Sequence, residues 1–185
     1  MTPRYLLRAY KFIPRVKDAI GGNNNTYLAT SAGTPYKFFT DTPELPPPLL
    51  PGQPAIFNWV LPDWFPRKAF FVRTVCVFSA LDAGAVNLFA WIDPYGISYR
   101  STVPKGIELN SDLTRQIDLL TWNNAGGGGQ KETELPYPAP FDRDAGDKLV
   151  IELSASVSVG SFGFVFYFLQ PNQSEPDVVG VQYRP

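Results

Sequence analysis

A chain of 185 residues, 44% hydrophobic and 15% aromatic, carries enough apolar mass for one filled core and too little length for two, so a single domain over residues 1–185 is expected. The charged share of 18% argues against global disorder, and a net charge of -1 gives no reason to expect nucleic-acid binding by the molecule as a whole. Histidine is absent, which excludes triads with a His base, zinc sites built on imidazole and ordinary His acid–base catalysis.

The 19 prolines and 15 glycines are too many for long helices and suit short strands joined by turns and extended crossings, so the fold class reads as all-β. The single cysteine, Cys76, lies between Val75 and Val77 and is expected to act as a small buried hydrophobe, with no intramolecular disulfide to form. No stretch approaches the roughly 18 apolar residues of a membrane span, and the N-terminus lacks the apolar core and cleavage site of a signal peptide. The protein is therefore expected to be soluble when made.

Residues 1–25 form a basic N-terminal arm, with five Lys or Arg against the single Asp18. Arg4, Arg8, Lys11 and Arg15 recur at helical spacing, and Thr2-Pro3 suits an N-cap and first helical position. As a helix the arm would set a basic stripe against Tyr5, Leu6, Ala9, Phe12 and Ile13 until Pro14 ended it. As a strand the same residues would pair at a sheet edge, and both readings stay open. The charge has three readings: a solvated face, a tether to anionic lipid or nucleic acid, and a contact with another subunit.

Weak strand signals follow at residues 26–30 and 36–40. Residues 45–54, which include Leu45, Leu49 and Leu50 among five prolines, predict a stiff polyproline crossing along the surface or, alternatively, a docking strap for a neighbour. A strand is predicted at 55–60. Residues 69–79 are apolar on both faces apart from Arg73 and Thr74, which predicts a central strand covered on each side. Asp82-Ala83-Gly84 and the type I turn signal Asp93-Pro94-Tyr95-Gly96 then predict a three-stranded meander over 69–103.

A further strand is predicted at 115–122, and residues 125–130, with four consecutive glycines, predict a flexible loop without the GK[ST] of a phosphate cradle. Asp142, Asp144 and Asp147 read as a polar turn, with a calcium loop as the alternative despite the absence of EF-hand spacing. The clearest periodicity follows. Leu149, Ile151 and Leu153 alternate with polar and mixed positions, and Phe162, Phe164, Phe166 and Phe168 alternate with Gly163, Val165, Tyr167 and Leu169. With Gly160-Ser161 between them, the pair predicts a long hairpin with a primed turn. A last strand is predicted at 178–183. So many strands, with no helical period in the body, predict an antiparallel two-sheet sandwich with a jelly roll as the preferred topology.

No catalytic constellation emerges. Asp63, Asp93, Glu108, Asp118, Glu132 and Glu134 are scattered with no obvious acid–base pair, and neither G-x-S-x-G nor S-x-x-K occurs. An enzyme is not expected, and no cofactor or metal is implied. Trp59, Trp64, Trp122 and Tyr137 fall at strand ends or in loops, where they either close the ends of the sandwich or stack on a ligand.

With a single all-β body, proline-rich crossings, a basic N-terminal arm and no histidine, the chain resembles the small single jelly-roll capsid proteins of tailless icosahedral viruses, most closely those of thermophilic phages that enclose an internal membrane. The resemblance implies a structural virion protein that assembles with copies of itself and a second capsid protein. It also implies a contact with the internal membrane or an adjacent subunit through Arg4, Arg8, Lys11 and Arg15, with the 45–54 segment as a second assembly element. The competing class is a carbohydrate-binding or host-attachment module using Trp59, Trp64, Trp122 or Tyr137 as stacking platforms.

Overall fold

The computed structural model describes residues 5–13, 36–40, 55–80, 84–94, 117–155 and 159–171. These form nine strands: β1 (Tyr5–Phe12), β2 (Tyr36–Thr40), β3 (Ala55–Trp59), β4 (Lys68–Ala80), β5 (Val86–Asp93), β6 (Ile117–Asn124), β7 (Gly129–Asp142), β8 (Lys148–Ala155) and β9 (Val159–Pro171). They assemble into a four-stranded sheet of order β1-β9-β4-β7 and a five-stranded sheet of order β3-β2-β8-β5-β6. Every pairing is antiparallel except that of β2 with β3, which run parallel.

The two sheets face each other because each strand with a period of two turns one apolar set inward. From the four-stranded sheet come Tyr10 and Phe12 of β1, Phe71, Cys76 and Phe78 of β4, and Phe162, Phe164, Phe166 and Phe168 of β9. From the five-stranded sheet come Leu88, Ala90 and Ile92 of β5 and Leu149, Ile151 and Leu153 of β8. Phe12 touches both Phe38 of β2 and Trp59 of β3, with ring centroids 5.5 and 4.5 Å apart, and so ties β1 to the facing sheet. A hydrogen bond of 2.8 Å from the Leu149 N–H to the Thr40 Oγ1 satisfies one buried backbone donor where β2 meets β8.

The all-β two-sheet sandwich stands as expected, and within the basic arm Tyr5–Phe12 form a strand, the rest of the arm apart from Ile13 lying outside the described residues. Three readings of local pairing do not stand. The predicted hairpin of 149–168 is divided between the sheets, with β8 in one and β9 in the other. Gly160 and Ser161 lie inside β9, where Val159 faces Ala80 and Ser161 faces Ser79, so Gly160 is the extra residue of a bulge. Likewise β4 and β5, predicted as neighbours in a meander, belong to different sheets, and the third strand of that meander, at 97–103, lies outside the described residues. A period of two reports which face of a strand is buried, and two strands that face one core from opposite sheets carry the same signal as two that pair.

The third correction concerns residues 125–142. Gly129 and Gln130 begin β7 rather than closing a loop, and β7 as a whole carried no strand prediction. Prolines are disfavoured inside a sheet, and Pro136, Pro138 and Pro140 are accommodated because β7 is the edge of its sheet, where a missing N–H costs no ladder bond. Between Phe71↔Ala139 and Arg73↔Glu134 the register slips by a bulge of Leu135, Pro136, Tyr137 and Pro138, of which Leu135 packs against the core and the other three are exposed. Predicted strands at 26–30 and 178–183 and the polyproline crossing at 45–54 lie outside the described residues.

Candidate interaction surfaces

The basic arm is built by β1. Tyr10 and Phe12 point into the core opposite Phe166 and Phe164, which fixes the strand's two faces. Arg8 shares the inward parity but lies where the strand is exposed, and Lys11 points to the outer face of the sheet. Residues three apart fall on opposite faces of a strand, so the stripe expected of a helix does not form between Arg8 and Lys11. Arg4 and Arg15 lie outside the described residues, as do Leu45, Leu49 and Leu50.

The four aromatic candidates separate into two kinds. Trp59 packs on Phe12, and its Nε1–H donates to the Tyr10 Oη at 3.1 Å, so its ring and its polar tip both serve the end of the sandwich. Trp122 lies edge-on to Phe78 at 4.8 Å and covers Gly129, where an added Cβ would come within 3.3 Å of the indole. These two are closing residues. Trp64, 51% exposed, and Tyr137, 82% exposed, are displayed. Trp64 leans on Tyr10 and Phe65, whereas Tyr137 stands on the bulge of β7, and the two share no ring contact. They do not make one stacking platform.

The carboxylates of Asp142, Asp144 and Asp147 are spent on the turn itself. The Asp142 Oδ1 accepts from the N–H groups of Asp144 and Ala145 at 3.0 and 3.2 Å, and the Asp147 Oδ2 accepts from the Asp142 N–H at 2.8 Å. Lys68 and Arg67 pair with Asp142 and Asp144, each at 3.2 Å, and Gly146 takes the left-handed conformation that closes the turn, at φ 91°. Among the described residues no group of three His, Cys, Asp or Glu side chains is placed to hold a metal ion.

Burial pulls the Asp142 carboxyl upward, but the hydrogen bonds from Lys68, Ala145 and Asp144, together with the Lys68 charge, outweigh it and hold the group below its ordinary range. The folded chain then binds fewer protons than the unfolded one. Its stabilisation is full above the ordinary carboxylate pKa of about 3.9 and is lost as the pH falls through and below that value. Asp142→Asn is therefore expected to flatten the acid limb of urea midpoints plotted against pH below about 4. Superimposable acid limbs would contradict this role.

A surface that no sequence motif marked is the outer face of the four-stranded sheet. Its rows can be read from the register. Leu7, Leu169 and Phe70 form one, Ala9, Tyr167, Arg73 and Glu134 the next, then Lys11, Val165, Val75 and Glu132, and finally Ile13, Gly163, Val77 and Gln130. Leu7 is 63% exposed, Val77 49% and Ile13 43%. A hollow of about 420 Å³ opens over Gly163, bounded by Lys11, Ile13, Val77 and Val165. Arg73 lies 4.0 Å over the Tyr167 ring and pairs with Glu132 at 3.1 Å.

The signal for this face was present in the two-sided apolar character of 69–79 and of 162–169, which reads equally as a strand covered on both sides. The outer face of the other sheet differs, since Trp91 and Val150 there are buried in a small cluster of their own with Phe89 against them.

Cys76 is buried, and burial pushes its thiol far up, which favours the neutral form. No helix among the described residues is long and apolar enough to cross a membrane. No protein-family model matches the chain, and no curated protein or solved structure shows significant similarity to it.

Proposed function

We propose that the protein is a structural subunit of a virion shell, a jelly-roll capsid protein that assembles with copies of itself and with a second capsid protein. The observation that carries the reading is the nesting of the strands. With β3 set aside, the first of the described strands pairs with the last, β1 with β9, and inside that pair come β2 with β8, β4 with β7 and β5 with β6. A hairpin of strands rolled up in this way is the wrapping of a jelly roll, an architecture used by viral capsid and lectin domains.

Two further features support assembly over ligand chemistry. The carboxylates of the Asp142 turn are engaged with local donors, and among the described residues the exposed Tyr5, Leu7, Ile13 and Val77 share one sheet face rather than a cleft. Contact with an anionic membrane would draw on Arg8 and Lys11 among the described residues, both exposed. The exposed Trp64 and Tyr137 favour the second reading, a carbohydrate-binding or host-attachment module, although they stand apart from each other.

The two readings part under the electron microscope and on a glycan array. Expected for the shell subunit are closed particles or ordered sheets in concentrated preparations, alone or co-expressed with the products of neighbouring genes, and no glycan bound. Glycan binding that is lost in Trp64→Ala or Tyr137→Ala, from a chain that forms no ordered assembly, would overturn the shell reading in favour of the module.

A further inference from the structure

The outer face of the four-stranded sheet is complementary to itself. We infer that two copies of the chain associate back to back through this face, about a two-fold axis that runs along the strands between β9 and β4. The inference deepens the shell reading by giving its self-association a surface, and it rests on that reading for the expectation that copies meet at all.

Opposite charges stand at opposite edges of the face. The third row of the face begins with Lys11 on the β1 edge, continues through Val165 and Val75, and ends with Glu132 on the β7 edge. Among the described residues Lys11 has no ion pair. A two-fold axis along the strands exchanges the edges and keeps the rows level. It therefore sets Lys11 of each copy over Glu132 of the other, and Val165 over Val75. A two-fold axis across the strands would instead stack β1 on β1, with like charges opposed. The arrangement of charge selects the first axis.

Shape selects the same one. In the fourth row the hollow over Gly163 lies next to Val77, an apolar side chain left 49% exposed on β4. Exchanging β9 and β4 places Val77 of each copy above Gly163 of the other, so that each copy supplies both a knob and a hole. Gly163 keeps the hole open, because a Cβ there would meet the Phe12 carbonyl oxygen at 3.3 Å and Ile13 Cγ1 at 3.5 Å. In the first row Leu169 would cover Phe70 of the partner. In the second, Tyr167 would meet the partner's Arg73 side chain, already stacked on a Tyr167 ring of its own.

Size is adequate as well. Four strands about 4.8 Å apart and roughly eight residues long at about 3.3 Å each present roughly 500 Å² in projection, before side-chain relief is counted, on the scale of the roughly 800 Å² per partner of a stable interface.

The test is sedimentation equilibrium of the full chain and four variants: Val77→Asp, Lys11→Glu, Glu132→Lys and the double charge swap. Expected are a reversible dimer for the unmodified chain and, for Val77→Asp, association at least about tenfold weaker, since a carboxylate would be desolvated against Ile13 and Val165 in a hollow whose one cation, Lys11, is engaged by the partner's Glu132. Each charge reversal should weaken association, and the double swap should restore it. Lys11 and Glu132 of one copy stand three strand spacings apart, about 14 Å, so rescue reads a contact between copies.

An unmodified chain that stays monomeric at all concentrations overturns the proposal. So does a dimer indifferent to Val77→Asp and to charge reversal, as one joined edge to edge through β1 would be. Ordered shells from a chain with such an indifferent dimer would remove this interface and leave the shell reading standing. A dimer sensitive to Val77→Asp that builds no assembly would do the reverse.

Discussion

Replacing Phe71 by alanine is expected to lower the unfolding free energy by about 3–5 kcal/mol, the range for a large aromatic removed from a filled core. Phe71 is fully buried on β4, and its ring meets Phe65, Phe141, Phe166 and Phe168 at centroid distances of 6.4, 5.7, 5.8 and 5.9 Å. Those neighbours come from the turn before β4, from β7 and from β9, so the cavity would be walled by rigid strands with little freedom to collapse. A domain with about 5–15 kcal/mol of stability would lose roughly a fifth or more of it. The measurement is the urea midpoint at constant slope, with Tyr137→Ala as the control, since that ring is 82% exposed and its loss should change stability by no more than about 0.5 kcal/mol. A Phe71→Ala variant within about 1 kcal/mol of the parent would show that the ring cluster is not the centre of the core.

Removal of residues 1–12 is expected to abolish cooperative folding. The deleted segment contains the strand β1, and its loss takes Tyr10 and Phe12 out of the core. It also uncovers the β9 edge and deprives the Trp59 Nε1–H of its acceptor. Two buried aromatics of roughly 150–250 Å² each, at about 25 cal/mol per Å², stand for roughly 8–12 kcal/mol as an upper bound, comparable with the whole stability of a domain. The expected result is a broad, non-cooperative thermal transition with exposed apolar surface. Arg8→Glu and Lys11→Glu, both on exposed positions, should each stay within about 0.5 kcal/mol of the parent. A sharp transition from the truncated chain would show that β1 is an appendage. Truncation therefore reports on folding, and point changes are the proper probe of what the arm binds.

Much of the architecture was legible in the residues, and the limit of legibility has a physical cause. The alternation in β8 and β9 identifies both strands and their buried faces, and the apolar run of β4 does the same. Which sheet each strand joins is not encoded in that alternation, because Leu149, Ile151 and Leu153 face Phe162, Phe164 and Phe166 across the core rather than beside them. Strand β7 was illegible for the opposite reason. An edge strand with exposed Lys131, Glu132 and Glu134 and three alternating prolines satisfies the rules for an edge by breaking the rules for a strand.

At the surface, the aromatic candidates were readable as large side chains near strand ends. That Trp59 and Trp122 are consumed by Phe12, Tyr10 and Phe78 depends on contacts distant in sequence. The complementary rows of the outer face depend on the register of four strands drawn from both ends of the chain, and no local motif could carry them.

The central claim is that this chain works through surfaces that join it to other copies of itself. Sedimentation velocity of the unmodified full chain, from low micromolar to several hundred micromolar and at low and high salt, addresses it most directly. A sedimentation coefficient that rises with concentration, and falls back as salt screens the Lys11–Glu132 contacts, is the expected result. A coefficient that stays at the monomer value across the whole range would contradict it.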